Sequence, residues 1–291
     1  MMASQDKTTL RILHVSDLHF GPPYVPDVGE ALLTSAASLG ADVIVASGDF
    51  TQRAKAKQFQ EARAFLDRLP EADLVVVPGN HDVPLYRVLE RLTAPLANYR
   101  RYIHPELDWV LEREDAVIAA LDSTSPLRHI TNGRISEDQL AFCERAFAAA
   151  GDRARVVVAH HHFAPAPDYE KAEVMPDARA ALDRFTAMRV DLILGGHLHR
   201  GYIGNSLDVY AGADSDHGII IIQSGTTTSR RGRAREAEKN SFNVVVVGAG
   251  DVRVTHFMYF ESAGGFEPIS EHRFPRPGLG FFGAADAARI A

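Results

Sequence analysis

A small set of carboxylate, amide and imidazole side chains falls where apolar runs end. Asp17 and His19 follow Leu10 to Val15, and Asp49 follows Val43 to Ala46. Asn80, His81 and Asp82 follow Leu74 to Val77. His160 comes directly after Arg155 to Ala159, and His197 and His199 follow Asp191 to Leu194. Asp17, His19, Asp49, Asn80, His160, His197 and His199 together offer oxygen and nitrogen donors but no thiolate. That mixture favours Mn, Fe or Zn over a closed structural zinc site. So many donors exceed one tetrahedral ion and suit two ions sharing a carboxylate. Such a pair can clamp a phosphoryl group and lower the pKa of a bound water. In extended backbone, residues two apart point the same way. On that basis Asp17 and His19 address one point, and so do His197 and His199. Gly48, Gly79, Gly195 and Gly196 are read as freeing the chain to turn sharply beside them.

The elements that must carry these residues alternate. Strands at Leu10 to Val15, Val43 to Ala46 and Leu74 to Val77 are separated by helices at Asp27 to Leu39 and Lys55 to Arg68. Phe59, Ala62, Phe65, Leu66 and Leu69 share one face of the second helix. This rhythm predicts an α/β fold with buried parallel strands, whose ligands gather beyond the strands' carboxyl ends. Pro84 to Tyr102 reads as helical pieces broken at Pro95. Trp109 to Glu112 and Ala116 to Leu121 suit a hairpin. A helix is predicted over Ser136 to Ala149, with Ser136 and Gln139 as a capping box. Another strand, helix and strand follow at Arg155 to Ala159, Pro176 to Met188 and Asp191 to Leu194. The last third turns strand-rich, at Gly218 to Gln223, Phe242 to Val247 and Val252 to Tyr259. A βα half followed by a strand-rich half suggests two packed sheets. One domain over 1–291 is expected, with a surface arm from about Arg273.

Bulk properties narrow the classes. A chain of 291 residues, 46% hydrophobic, buries enough surface to need no disulfide. Cys143 is single and reads as a buried helix residue, which suits a reducing cytoplasm. The opening residues lack an apolar secretory segment, and no apolar run has the length of a membrane span. A cytoplasmic location without membrane contact is expected. The net charge of −7 argues against nucleic acid as a general partner.

Asp17-Leu18-His19, Gly48-Asp49, Gly79-Asn80-His81-Asp82, His160 and Gly196-His197-Leu198-His199 resemble the five ordered blocks of the calcineurin-like metallophosphoesterases. The resemblance implies a four-layer α-β-β-α sandwich of two mixed β-sheets flanked by helices. It implies that Asp17, His19 and His199 hold one metal, that Asn80, His160 and His197 hold the other, and that Asp49 and a hydroxide bridge them. It makes His81 the contact to phosphate and donor to the leaving oxygen, with Asp82 behind it, orienting it. The layout is most similar to bacterial class III cyclic-nucleotide phosphodiesterases, including the His160-His161-His162 run before Pro165 and Pro167 and the Ser224-to-Thr228 loop. The expected substrate is a small phosphodiester, a 3',5'-cyclic nucleotide among them. Phosphomonoesterase, nucleotide pyrophosphatase and nuclease activities use the same chemistry, and a scaffold that has lost catalysis keeps the same fold. A homo-oligomer is compatible with the sequence.

Blander readings compete at several positions. Among three adjacent histidines, His160 is preferred because it stands nearest the strand end. His14, His104, His129, His217, His256 and His272 read as surface or internally satisfied histidines. Arg128 and His129 suit a solvated loop, or reach a substrate. Asp122 is a candidate for orienting a ligand. The run Arg230 to Arg235 is either a solvated hairpin or a phosphate contact for an extended substrate. Phe20, Phe50 and Phe163 read as packing residues.

Overall fold

The computed structural model describes residues 9–127, 131–165, 174–210, 217–233 and 236–277. Its first stretch alternates as expected: β1 (Leu10–Val15), α1 (Pro26–Leu39), β2 (Val43–Ala46), α2 (Ala56–Leu66) and β3 (Asp73–Val76). A short 3-10 turn at Asn80–Asp82 precedes α3 (Val88–Thr93) and α4 (Ala97–Tyr102), with Pro95 between them. Then come β4 (Trp109–Glu112), β5 (Ala116–Leu121), α5 (Glu137–Phe147), β6 (Ala154–Ala159), α6 (Ala178–Ala187) and β7 (Leu192–Gly195). The chain continues through β8 (Tyr202–Asn205), α7 (Ser206–Val209), β9 (Ile220–Gln223), β10 (Ser241–Val247), β11 (Asp251–Phe260) and β12 (Gly265–Pro275).

Two mixed six-stranded sheets result, ordered β12-β11-β10-β1-β2-β3 and β4-β5-β6-β7-β9-β8. They do not divide the chain into a first and a second half, as the sequence suggested. The last three strands return to the first sheet, where β10 pairs antiparallel with β1 from Leu10↔Val247 to His14↔Asn243. The middle of the chain makes the second sheet, in which β5, β6, β7 and β9 run parallel.

The strands read as unbroken apolar runs because both faces are covered. Leu10, Ile12, Val43, Val45, Val156 and Val158 face the space between the sheets. Their alternates Leu13, Val15, Ile44 and Ala46 pack under helices on one side, and Val157 and Ala159 do so on the other. Period-two alternation thus builds three apolar layers from strands with no polar face. Each fully buried Val or Ile contributes about 1.5–3 kcal/mol. The Ser136 box caps α5: Gln139 N–H donates to Ser136 Oγ at 3.2 Å, and Ser136 N–H to Gln139 Oε1 at 2.9 Å.

β8, α7 and β12 were not predicted. β12 is an edge strand whose residues are mostly exposed, so it lacks the apolar periodicity that marks the others. Arg273, where the surface arm was expected to start, still pairs with Arg253 inside the sheet, and most of that arm lies outside the described residues. Arg128, His129, Pro167, Ala234, Arg235 and the chain beyond Pro277 lie outside the described residues. Among the described residues, no helix is long and apolar enough to cross a membrane.

Candidate metal centre

The ends of β1, β2 and β3 in one sheet and of β6 and β7 in the other meet at one end of the sandwich. Backbone hydrogen bonds continue the β1–β2 pairing past the strands: Asp17 N–H to Gly48 O at 3.0 Å, His19 N–H to Asp49 O at 2.9 Å. Along this extension the chain is not extended. Asp17, His19, Asp49, His197 and His199 all have φ between 52° and 72°. This corrects the expectation from two-residue spacing. Each pair converges because both members adopt the left-handed conformation, which Asp and His enter more readily than most residues. Such backbone costs of order 1–3 kcal/mol per residue and persists only when surroundings enforce it.

Around Asp17 the loop Ser224 to Thr228 does the enforcing. Thr226 Oγ donates to the Asp17 carbonyl at 2.8 Å, and Thr228 Oγ to the Leu18 carbonyl at 2.9 Å. Ser16 N–H donates to Thr227 Oγ at 3.0 Å. Three consecutive threonines after a strand were the available sequence signal. Gly196 serves close approach rather than turning, since a Cβ there would sit 1.9 Å from Ser16 Oγ and 2.6 Å from Asp17 Oδ2.

All seven donors come together. His19 Nε2 lies 3.2 Å from His199 Nε2, which is 3.1 Å from Asp17 Oδ1. Asp49 Oδ2 stands between His19 Nε2 at 3.7 Å and His160 Nε2 at 3.5 Å. Asn80 Oδ1 is 3.2 Å from His160 Nε2 and 2.9 Å from His197 Nδ1. The donor atoms of Asp17, His19, Asp49 and His199 lie within 4.8 Å of one another, and so do those of His160, His161 and His197. Outer partners fix the rings: His160 Nδ1 meets Ser47 O at 2.8 Å, and His199 Nδ1 meets Arg231 O at 2.9 Å.

Asp17 Oδ1 and Asp49 Oδ2 are buried without a hydrogen-bond partner. An unsatisfied buried carboxylate oxygen is costly. Oxygens left bare among imidazole nitrogens fit a cation held there. Protonation agrees. Burial opposes charge on Asp17, but the imidazoles of His199, His19 and His160 outweigh it and hold the carboxyl well below its ordinary value. Burial pushes His19 down to about 4 and His197 well below its ordinary value, so both imidazoles are neutral, as ligation requires. His160 differs: burial lowers its pKa, yet Asp49 and Asp17 raise it overall.

His161 joins the second cluster as well, although the sequence reading preferred His160 among the three adjacent histidines. Its ring is fully buried, 4.8 Å from that of His197, with Nδ1 2.8 Å from Ser123 Oγ and Nε2 unpartnered. His162 stacks on His197 at 5.6 Å. His81 sits beside the cluster, its ring edge-on to His19 at 4.9 Å and its backbone N–H donating to Asp49 Oδ1 at 2.7 Å. Its Nδ1 faces the Gln52 carbonyl at 3.1 Å, and burial lowers its pKa.

Asp82 does not orient His81. Its carboxylate accepts from Phe50, Thr51 and Gly79 N–H groups at 3.2, 2.9 and 3.0 Å. It ties the Asp49 loop to the Asn80 turn, while Gln52 does the orienting. Burial, followed by the charge of Asp49, raises Asp82 to about 7. Asp122 is engaged with the Thr124 N–H at 2.8 Å. His14 is fully buried and meets Ser47 Oγ at 3.0 Å. Phe20, Phe50 and Phe163 are buried packing residues.

The Calcineurin-like phosphoesterase family matches residues 10–201, a span that holds every one of these donors. The chain belongs to this family. As a calcineurin-like phosphoesterase it is 29% identical over 165 residues to the 3',5'-cyclic adenosine monophosphate phosphodiesterase CpdA of Escherichia coli K12, covering 55% of this chain and 54% of that one. It therefore spans about half the length of the curated relative it matches. Its fold resembles purple acid phosphatase PPD1 from yellow lupin at a TM-score of 0.67 and 12% identity, over 94% of this chain and 55% of that chain. PhoD aligns at 0.63 and 12%, over 91% and 72%. GAP50, the anchor in the inner membrane complex of Plasmodium, aligns at 0.59 and 14%, over 97% and 94%. These likenesses show the metallophosphatase fold.

Proposed function

We propose that this calcineurin-like phosphoesterase is a two-metal phosphodiesterase acting on small diesters. The observation that carries the reading is the pair of bare, buried oxygens, Asp17 Oδ1 and Asp49 Oδ2, ringed by imidazole nitrogens. Asp17, His19 and His199 would hold one ion and Asn80, His160 and His197 the other, with Asp49 between them. When bound, two such ions polarise phosphoryl oxygens and lower the pKa of water. Mn, Fe and Zn all suit the donor set.

Hydrolysis breaks the scissile P–O bond, places OH on phosphorus and delivers a proton to the leaving oxygen. His81 supplies that proton from Nε2. Gln52 O accepts from Nδ1–H and so fixes the ring. Burial favours the neutral ring, and the negative phosphate beside it favours the charged acid. The name of the Escherichia coli relative makes a 3',5'-cyclic nucleotide the first substrate to try. A single cysteine, buried at Cys143, suits a reducing compartment, so a cytoplasmic enzyme is the reading.

The test is hydrolysis of bis-p-nitrophenyl phosphate, p-nitrophenyl phosphate and cyclic AMP by manganese-loaded protein, with metal content measured on the same sample. Preference for the diesters is expected, with Asp49→Ala losing metal and activity together. His81→Ala should keep both metals and slow turnover, most for poor leaving groups. A folded, metal-loaded protein that cleaves no ester would leave a scaffold as the reading.

A further inference from the structure

The cleft over the metal centre, about 580 Å³, carries charge of one sign. Arg53, Lys55, Arg231 and Arg233 line it beside His81 and His199, and among the described residues no Asp or Glu does. Arg87 also lines it but is committed to Glu90 and to the Arg53 and Ala54 carbonyls. Arg231 is built into the centre. Its carbonyl accepts from His199 Nδ1 at 2.9 Å, and its side chain donates to Gln52 Oε1 at 3.1 Å. Its Nε is buried without an acceptor, and among the described residues its guanidinium has no carboxylate partner. Burial disfavours its charge, and Arg233 and Arg53 add to that against the pull of Asp49 and Asp17. Arg53 lies 4.9 Å over the Tyr86 ring.

Charge accounting separates two kinds of substrate. Two divalent ions would bring four positive charges to a centre where Asp17 and Asp49 supply two negative ones. Counting one hydroxide as the nucleophile, the centre would keep a single net positive charge, which matches a diester of single charge. Four further cations around the same cleft repel one another, and additional negative charge on a ligand offsets the repulsion. A planar guanidinium pairs well with phosphate oxygens, two at a time.

We infer that the cleft takes a phosphodiester carrying a second phosphate group, held by Arg231 and Arg53 while the scissile phosphate lies at the metal centre. This rests on the phosphodiesterase reading above. Of the two sequence readings of the Arg230-to-Arg235 run it takes substrate contact, through Arg231; Arg235 lies outside the described residues. The second phosphate is either joined to the first as a pyrophosphate or esterified elsewhere on the same small molecule.

Four substrates test it with the manganese-loaded full chain. Bis-p-nitrophenyl phosphate and cyclic AMP carry one phosphate, ADP-ribose carries a pyrophosphate, and pApA carries a separate 5'-phosphate. The better two-phosphate compound should exceed cyclic AMP in kcat/KM by about tenfold or more. Arg231→Gln and Arg53→Gln should each cost it about tenfold more than they cost bis-p-nitrophenyl phosphate. Which of ADP-ribose and pApA responds identifies the source of the second phosphate. Calorimetric binding to the metal-free protein decides the point independently of turnover. There the two-phosphate compound should bind tighter than cyclic AMP, and Arg231→Gln should remove the preference. Equal affinities for one- and two-phosphate compounds would overturn the inference, while hydrolysis of bis-p-nitrophenyl phosphate would leave the phosphodiesterase reading standing. Hydrolysis of none of the four would overturn that reading, with the binding preference still deciding the cationic wall.

Discussion

The backbone N–H of His197 donates to Asp17 Oδ2 at 3.0 Å, joining the two sheets across 180 residues of sequence. One Asp17 oxygen therefore holds the sheets together, and the other, Oδ1, stays bare beside His199 Nε2. On the two-metal reading proposed above, structure and ligation would be divided between two oxygens of one carboxylate.

That division makes Asp17→Asn informative. The amide oxygen keeps the His197 contact, so folding should survive. The charge facing the metal is lost, and metal affinity should fall by at least about tenfold. Metal analysis after dialysis, beside a thermal melt, checks both halves. Metal content equal to that of the unchanged protein would remove Asp17 from the ligand set.

The threonine loop should matter through backbone geometry. Thr226→Val keeps the shape but leaves the buried Asp17 carbonyl without its donor, at about 1–3 kcal/mol. In a chain of this size each kcal/mol lowers the melting midpoint by about 2–4 °C. Thr226→Ser should restore most of the loss. Weaker metal retention in the Val variant alone would show that the loop holds Asp17 in its left-handed conformation.

Asp122 gives a pH signature away from the ligands. Burial is the largest cause raising its carboxyl to about 6, against an ordinary 3.8. A raised carboxyl pKa means that the folded state takes up a proton first. The penalty for its charge is complete above about pH 6, shrinks as pH falls towards 3.8, and is absent below. Two pKa units correspond to a penalty of order 3 kcal/mol. Asp122→Asn keeps an acceptor for the Thr124 N–H and should stabilise the protein at pH 7.5. Denaturant titrations should show that advantage fading by pH 4. An advantage independent of pH would assign it to something other than this ionisation.

Cys143 is buried in α5, and burial pushes its thiol up to about 12. Thiolate is the reactive form. The native protein should resist Ellman's reagent at pH 8, and one thiol per chain should react after denaturation. Rapid labelling of the folded protein would show that α5 opens locally.

Much of this molecule is written locally. Leu10 to Val15 and Val43 to Ala46 are legible as buried strands because sheets covered on both faces need residues that are apolar throughout. Ser136 and Gln139 announce the start of α5 because a capping box is satisfied within four residues. The donors were legible too, since Asp, Asn and His clustered after strand ends have a chemical meaning wherever those ends point. What local sequence does not hold is the return of β10 to β1, because that pairing joins residues more than two hundred positions apart. It also does not hold the left-handed backbone at Asp17 and His199, which long-range hydrogen bonds impose. The placing of His161 against His197, and of Arg231 over Gln52, likewise arises only when separate loops close on one another. Sequence by itself determined which chemistry the chain carries, because donor type is a property of single residues. Tertiary structure alone decided which oxygen is left bare, which ring Gln52 holds and where the free positive charge lies, because those are relations between loops that only packing brings together.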